Sequence, residues 1–342
     1  MLQAPALLSL GSLLASHGRI AESIRVLRRA LHIAPGLPAL HTALSQPLLA
    51  SGDYAAGWQE YEWRRHVANF PLLPGPEWRG EPIEGRTILV HTEQGLGDCL
   101  MLARYLPLLA QRAGRVVLAC ERPLMRLLRD LPGLASVAEV RQPSLPDHDC
   151  WVLLGSLPML FGTRPDSIPS PGGYLTAPAA RSAAWAKLLP PGRKIGLVWG
   201  GNPDQPEDKR RSMSFQTLLP LLDVPGVTFV SLQVGKRRSE LAGHKSVIDV
   251  ADWLTDFAET AAVIDNLDLV ITVCTSVAHL AGALGAPTWV MLSRAPDWRW
   301  MLGREDSPWY ASARLFRQER AGDWDPVIAQ VAAALRSFVN AP

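Results

Sequence analysis

The chain has no GxGxxG turn and no GxxxxGK[ST] loop, so neither a common dinucleotide site nor a P-loop is indicated. Its four cysteines, Cys99, Cys120, Cys150 and Cys274, are scattered without CxxC spacing. That argues against a zinc site or a disulfide framework and suits a reducing cytoplasm. Charged residues make up only 19% of the chain and the formal net charge is +2. No strong field for nucleic acid or membrane follows, and any anion binding must come from local Lys/Arg clusters. No uncharged apolar run reaches membrane-spanning length, since even 261–273 carries Asp265 and Asp268. The leucine-rich N-terminus lacks the basic segment of a secretion signal and fits a helical repeat better.

What is present is most informative at 267–292, LDLVITVCTSVAHLAGALGAPTWVML. Two β-branched apolar runs, 269–273 and 288–292, flank a small-residue helix over 277–284. Thr275-Ser276 can start that helix and Gly285 can end it. A parallel βαβ unit aims such a helix start past the carboxyl ends of the strands, where free N–H groups favour phosphate. A second unit joins 87–91 (TILVH) through Glu93-Gln94-Gly95-Leu96-Gly97-Asp98 to a helix over 99–112 and a strand over 115–120. Gly95 and Gly97 permit a tight turn and close approach of backbone to a ligand. Asp98 reads equally as a helix cap or as a catalytic carboxylate.

Length predicts two or three domains. Within residues 1–68, Leu10/Leu44, Leu14/Leu48, Gly18/Gly52 and Ala21/Ala55 recur 34 apart, the tetratricopeptide period. Pro47 departs from the pattern and should kink its helix. Two repeats cannot cover both ends of their core, so the module is expected to lean on the first βα domain. The Pro/Gly-rich stretch 69–86 reads as a linker, 87–180 as one βα domain and 181–325 as another, with 326–342 a closing helix. In that helix Val327, Ile328, Val331, Leu335 and Phe338 share a face.

At these residues the chain resembles bacterial glycosyltransferase family 9, the heptosyltransferase-like enzymes, and more closely their versions fused to tetratricopeptide repeats. The matching pieces are QGLGD (94–98), GLVWGGNP (196–203), DKRRSM (208–213), SLQ (231–233), TSVAHLAGALGAP (275–287) and PDWRWMLGREDSPWYASARLFRQ (296–318). The resemblance implies an α/β fold of GT-B type, two facing Rossmann-like domains, here preceded by a short all-α repeat module. It implies an inverting, metal-independent transfer from a nucleoside-diphosphate sugar, for which a heptose-like sugar is the candidate, with no other cofactor. The acceptor would be a hydroxyl of a glycan, a lipid-linked glycan or a protein. A protein partner at the repeats, and a cytoplasmic location peripheral to the inner membrane, belong to the same expectation. Asp98 matches the family's general base. Arg211, with Lys209, matches the basic position at the donor phosphates, and Thr275, Ser276 and His279 match the helix start facing the diphosphate. The family usually has Asp where this chain has Cys274. A neutral thiol is a poor acceptor beside a carboxylate, so a transferase-fold scaffold with impaired catalysis is the rival reading.

The chemistry asks for a base at the acceptor hydroxyl and positive potential at the departing diphosphate. Asp98 can supply the first, and the helix start with Lys209-Arg210-Arg211 the second. Gly95, Gly97, Gln233 and Cys274 complete the candidate donor contacts, with Gln233 reading at least as well as a loop residue and His279 as a buried helix histidine. Asp249, Asp252 and Asp256 are expected to cap the helix over 257–264; the Trp298-Arg299-Trp300 and Trp309-Tyr310 cluster could stack on a ligand but reads better as packing of the last helix across the cleft.

Overall fold

The computed structural model describes residues 3–67, 73–142, 144–169, 172–205 and 207–340. The first four helices are α1 (Gln3–Ser16), α2 (Ile20–Ile33), α3 (Pro38–Ser51) and α4 (Tyr54–Tyr61). Connections of three, four and two residues make successive helices fold back on one another. The 34-residue spacing survives in three dimensions. Gly18 (φ 74°) and Gly52 (φ 91°) both leave a first helix in the left-handed conformation that lets the chain reverse. Leu27, Leu40, Leu44 and Leu48 form the core between the two hairpins. Helix α3 runs on through Pro47 rather than ending there.

The next domain is a four-stranded parallel sheet of order β3-β2-β1-β4, formed by β1 (Ile83–His91), β2 (Ala113–Cys120), β3 (Leu134–Glu139) and β4 (Cys150–Leu153). Its helices are α5 (Leu96–Leu102), α6 (Leu106–Ala110), α7 (Arg122–Leu128) and α8 (Leu157–Leu160). The helix expected over 99–112 is thus two shorter ones, parted by a 3-10 turn at Ala103–Tyr105 next to Pro107. The proposed linker is not a free tether. Its residues 69–72 lie outside the described set, but Trp78 N–H bonds Trp151 O at 2.8 Å and its ring is buried, while Ile83 already belongs to β1.

The last domain adds α9 (Ala179–Leu188), α10 (Asp208–Arg211), α11 (Phe215–Leu222), α12 (Phe257–Ile264), α13 (Ser276–Ala283) and α14 (Asp325–Asn340) to a six-stranded parallel sheet. Its strands are β5 (Arg193–Val198), β6 (Val227–Ser231), β7 (Val247–Asp249), β8 (Leu269–Val273), β9 (Thr288–Leu292) and β10 (Ala313–Arg317), ordered β10-β9-β8-β5-β6-β7. All strand pairs in both sheets are parallel, as right-handed βαβ crossovers require. Helix α14 buries Val327, Ile328, Val331 and Leu335 in this domain's own core beside Trp289 and Phe316. It does not cross the cleft.

The helical module does not lean on the first domain alone. Trp58 donates to Thr163 O at 3.1 Å, and its ring meets Trp298 edge-on at 5.2 Å. Tyr54 OH accepts from Trp309 Nε1 at 3.0 Å. Arg64 reaches into the first domain, donating to Glu93 Oε1 at 2.8 Å and to Ser156 Oγ at 2.9 Å. The two βα domains also grip each other directly. Arg126 of α7 makes a two-pronged pair with Asp256 (2.8 and 2.7 Å) at the start of α12. Arg104, buried and without a carboxylate partner among the described residues, donates to Met101 O and Trp309 O and lies over the rings of Tyr174, Trp309 and Tyr310.

Truncating a fully buried tryptophan removes its transfer energy and leaves a cavity. Trp58→Ala should therefore cost about 3–5 kcal/mol in chemical denaturation of the whole chain. A loss below about 1 kcal/mol, the range of ordinary surface changes, would mean that the module's junction carries little of the stability.

Candidate active site

In an open parallel sheet, ligands bind beyond the carboxyl ends of the strands where the strand order reverses. In the second domain that point lies between β5 and β8. After β5 the chain makes the Trp199-Gly200-Gly201 turn, and after β8 it makes Cys274-Thr275 and enters α13. Thr275 holds the extended cap conformation, although its side chain makes no capping bond and lies 3.3 Å from Thr272 Oγ1.

The turn after β5 is wired from within. Gln233 Oε1 accepts from Trp199 N (3.1 Å) and Gly200 N (3.0 Å), and its Nε2 donates to Gly200 O and Val234 O (both 3.0 Å). Its amide is thus fully engaged in bracing the loop and has nothing left for a ligand. Gly201 N donates to Ser212 Oγ at 2.9 Å, and Ser212 Oγ donates to the buried Asp208 at 2.7 Å. Burial opposes the charge of Asp208, but hydrogen bonds from Arg237 and Ser212 hold its carboxyl below the usual range. Asp208 also anchors Arg211, whose guanidinium would lie 2.7 Å from a Cβ placed on Gly201. Only glycine leaves room for it there.

Arg211 and Cys274 face one cavity of about 350 Å³. Arg210 reaches it too, whereas Lys209 is exposed and is not among the residues that line it. The Cys274 thiol accepts from Trp300 Nε1 at 3.1 Å, and burial with Asp297 nearby pushes it up to about 11. It is a thiol here, not a thiolate.

Asp98 lies in the first turn of α5 and does not itself line that cavity. Its Oδ2 accepts from Gly95 N at 3.0 Å, so it is a cap. Its Oδ1 also forms an ion pair with Arg299 of the second domain. Arg299 is buried, lies over the Trp298 ring and donates to Asp297 at 2.7 Å. Although burial opposes its charge, Asp297 and Asp98 keep the Arg299 guanidinium above its usual range. Arg299, 201 positions away in sequence, was not among the expected site residues. Only its place in the PDWRW segment marked it.

Gly97 is a packing residue rather than an open phosphate cradle. A Cβ there would stand 2.8 Å from His279 Cδ2 and 3.4 Å from Ser276 Cα, so α5 and α13 meet start to start. His279 is buried behind that contact. It bonds Tyr310 OH at 2.9 Å, stacks on Trp300 and does not line the cavity. Of the three acidic residues ahead of α12, only Asp256 caps it, accepting from Glu259 N at 2.9 Å; Asp249 and Asp252 tether Arg238. Trp298 and Trp309 pack on the helical module instead of the last helix.

These features place the chain among known structures. It superposes on the glycosyl transferase family 9 structure from Veillonella parvula DSM 2008 with a TM-score of 0.55 at 11% identity, over 77% of this chain and 99% of that one. E. coli ADP-heptose lps heptosyltransferase II gives a TM-score of 0.50 at 14% identity, over 74% of this chain and 98% of that one. The fold is that of the heptosyltransferase-like glycosyltransferases. At such identities the likeness is one of fold alone. No family model matches the chain. Protein FlbA of Caulobacter vibrioides is 35% identical over 341 residues, covering 89% of this chain and 57% of FlbA, so the chain spans little more than half of that relative. Among the described residues no helix is long and apolar enough to cross a membrane.

Burial, with Arg299 nearby, pulls the His279 imidazole down to about 3. The unfolded chain therefore takes up this proton near pH 6.5 while the native state does not. The stability tied to a neutral His279 is complete above pH 6.5 and falls by about 1.4 kcal/mol per pH unit below it. Denaturation from pH 7 to pH 5 should show that slope in the wild type relative to His279→Gln. Parallel curves for the two would mean that His279 protonates in the folded state.

Proposed function

We propose that this protein transfers a sugar from a nucleoside-diphosphate donor to an acceptor hydroxyl, with its helical segment acting as a tetratricopeptide-type module. The observation that carries the reading is the convergence of Arg210, Arg211 and the end of β8 at Cys274 on one cavity at the sheet's switch point. In the reaction the acceptor oxygen forms a bond to the anomeric carbon as the bond to the diphosphate oxygen breaks. Attack from the face opposite the leaving group inverts the anomeric centre. The charge that develops on the departing diphosphate is met by Arg211 and by the dipole of α13, which starts two residues after Cys274. The acceptor's proton goes to Asp98. Each carboxylate oxygen has a second lone pair beyond the one held by Gly95 N or Arg299, and Arg299 fixes the carboxylate's direction. No metal takes part in this scheme.

The test is binding and turnover together. A ligand that binds only the native state raises its melting temperature, so nucleoside diphosphates should stabilise the wild type. Arg211→Ala should weaken nucleoside diphosphate binding by about 1.5–3 kcal/mol and leave free nucleosides unaffected, because it removes a charge-assisted bond to phosphate. Asp98→Asn should keep that binding while transfer falls on the order of a hundredfold to ten-thousandfold. It should also lower stability by about 1–3 kcal/mol, since Arg299 loses one of its two carboxylates. Release of nucleoside diphosphate at the wild-type rate by Asp98→Asn would remove Asp98 from the chemistry. A wild type that binds donors but never turns them over would point instead to a transferase-fold binding protein.

A further inference from the structure

The cavity at Arg211 is closed on its far side by the helical module. Ala43, Gln46 and Pro47 of α3 and Ser12 of α1 line it opposite Cys274 and Arg211. A module that served only as a handle for a protein partner would have no reason to enter this space. Here it supplies one wall of it.

The chemistry of that wall follows from Pro47. A proline inside a helix has no N–H for the carbonyl four residues back, which here is Ala43 O. Ala43 and Pro47 both line the cavity, so the turn of α3 that lacks its i→i−4 bond borders it. One position before Pro47, the Gln46 side chain is half-buried, lines the same cavity and makes no hydrogen bond among the described residues. Its amide offers both a donor and an acceptor. The wall residues Ala15, Ala43 and Ala50 are small and leave room in front of these groups. A helix that keeps an unfavourable residue worth about 3 kcal/mol in an ordinary interior position calls for a compensating use, and a carbonyl freed in a turn that borders a cavity provides one.

Resting on the nucleotide-sugar reading of the site, we infer that α1 and α3 form a specificity wall of the donor pocket. The Ala43 carbonyl and the Gln46 amide hydrogen-bond a hydroxyl-bearing ring attached to the diphosphate. That ring is either the ribose of the nucleoside or the transferred sugar, and both present the same chemistry to the wall. Arg211 and the start of α13 hold the diphosphate, and the repeat module reads what is joined to it.

The experiment uses the full chain and two variants, Pro47→Ala and Gln46→Leu. Pro47→Ala returns a helical donor to Ala43 O and should leave the melting temperature equal or higher, so a loss of binding is not a loss of folding. Affinities are measured for inorganic pyrophosphate, for ADP, GDP, UDP, CDP and dTDP, and for ADP-glucose, GDP-mannose and UDP-N-acetylglucosamine. Both variants should bind pyrophosphate as the wild type does. Each should bind the preferred nucleotide ligand about three- to tenfold more weakly, the loss of one neutral hydrogen bond. Weakening already present with the nucleoside diphosphate assigns the wall to the ribose side, and weakening seen only with the sugar-bearing donor assigns it to the sugar; either supports the inference. Wild-type binding with unchanged affinities in both variants overturns the wall and leaves the proposed function standing. Failure of the wild type to bind any probe, pyrophosphate included, overturns both.

Discussion

The structure depends on one junction, where the Trp58 ring touches all three units of the chain. Its indole N–H is bonded to Thr163 O at the end of the first domain, and its faces and edges meet Tyr54 and Tyr61 of the module and Trp298 and Trp309 of the second domain. Aromatic side chains bury large areas each and gain further from edge-to-face contact. Packed in one cluster they give the short helical module the neighbour that two repeats lack. The same cluster sets the positions of Trp298 and Arg299, and so of everything bonded to Arg299.

Around that junction, charge is used to hold opposing elements at fixed distances. Arg299 links Asp98 and Asp297, Arg64 links the module to Glu93, and Arg126 links α7 to Asp256. Where such a pair is buried on both sides, as Arg64–Glu93 is, it adds little net stability, yet removing one partner strands a charge and so punishes the wrong arrangement. The consequence for the site is that α5 and α13 meet at their N-terminal ends, with Gly97 against His279 and Ser276. The open volume then lies to one side, between Arg211, Cys274 and the helical module.

The parts legible in the sequence were those that carry their signal locally. The runs at 87–91, 269–273 and 288–292 are continuous and apolar because their strands are buried on both faces, and they became β1, β8 and β9. The 34-residue spacing foretold two helical hairpins. Short or edge strands escaped: β7 has three residues, and β3, at a sheet edge, is mostly half-exposed. The site was legible in part. Arg211 and Cys274 lie on the cavity, but Gln233 and His279 are engaged inward and Lys209 is not among the residues that line it. Nothing local could show that Asp98 would meet Arg299 or that the module would wall the pocket. Those are contacts between residues about two hundred positions apart, made only when the three units close on the aromatic junction.

If the switch-point turn, the start of α13 and helix α3 belong to one nucleotide pocket, a bound nucleoside diphosphate protects all three together. Hydrogen exchange measured on the whole chain, with and without a saturating nucleoside diphosphate, tests it most directly. Added protection is expected in three separate stretches at once: 199–213, 274–280 and 43–50. Protection confined to the first two, or appearing at sites away from all three, would contradict it.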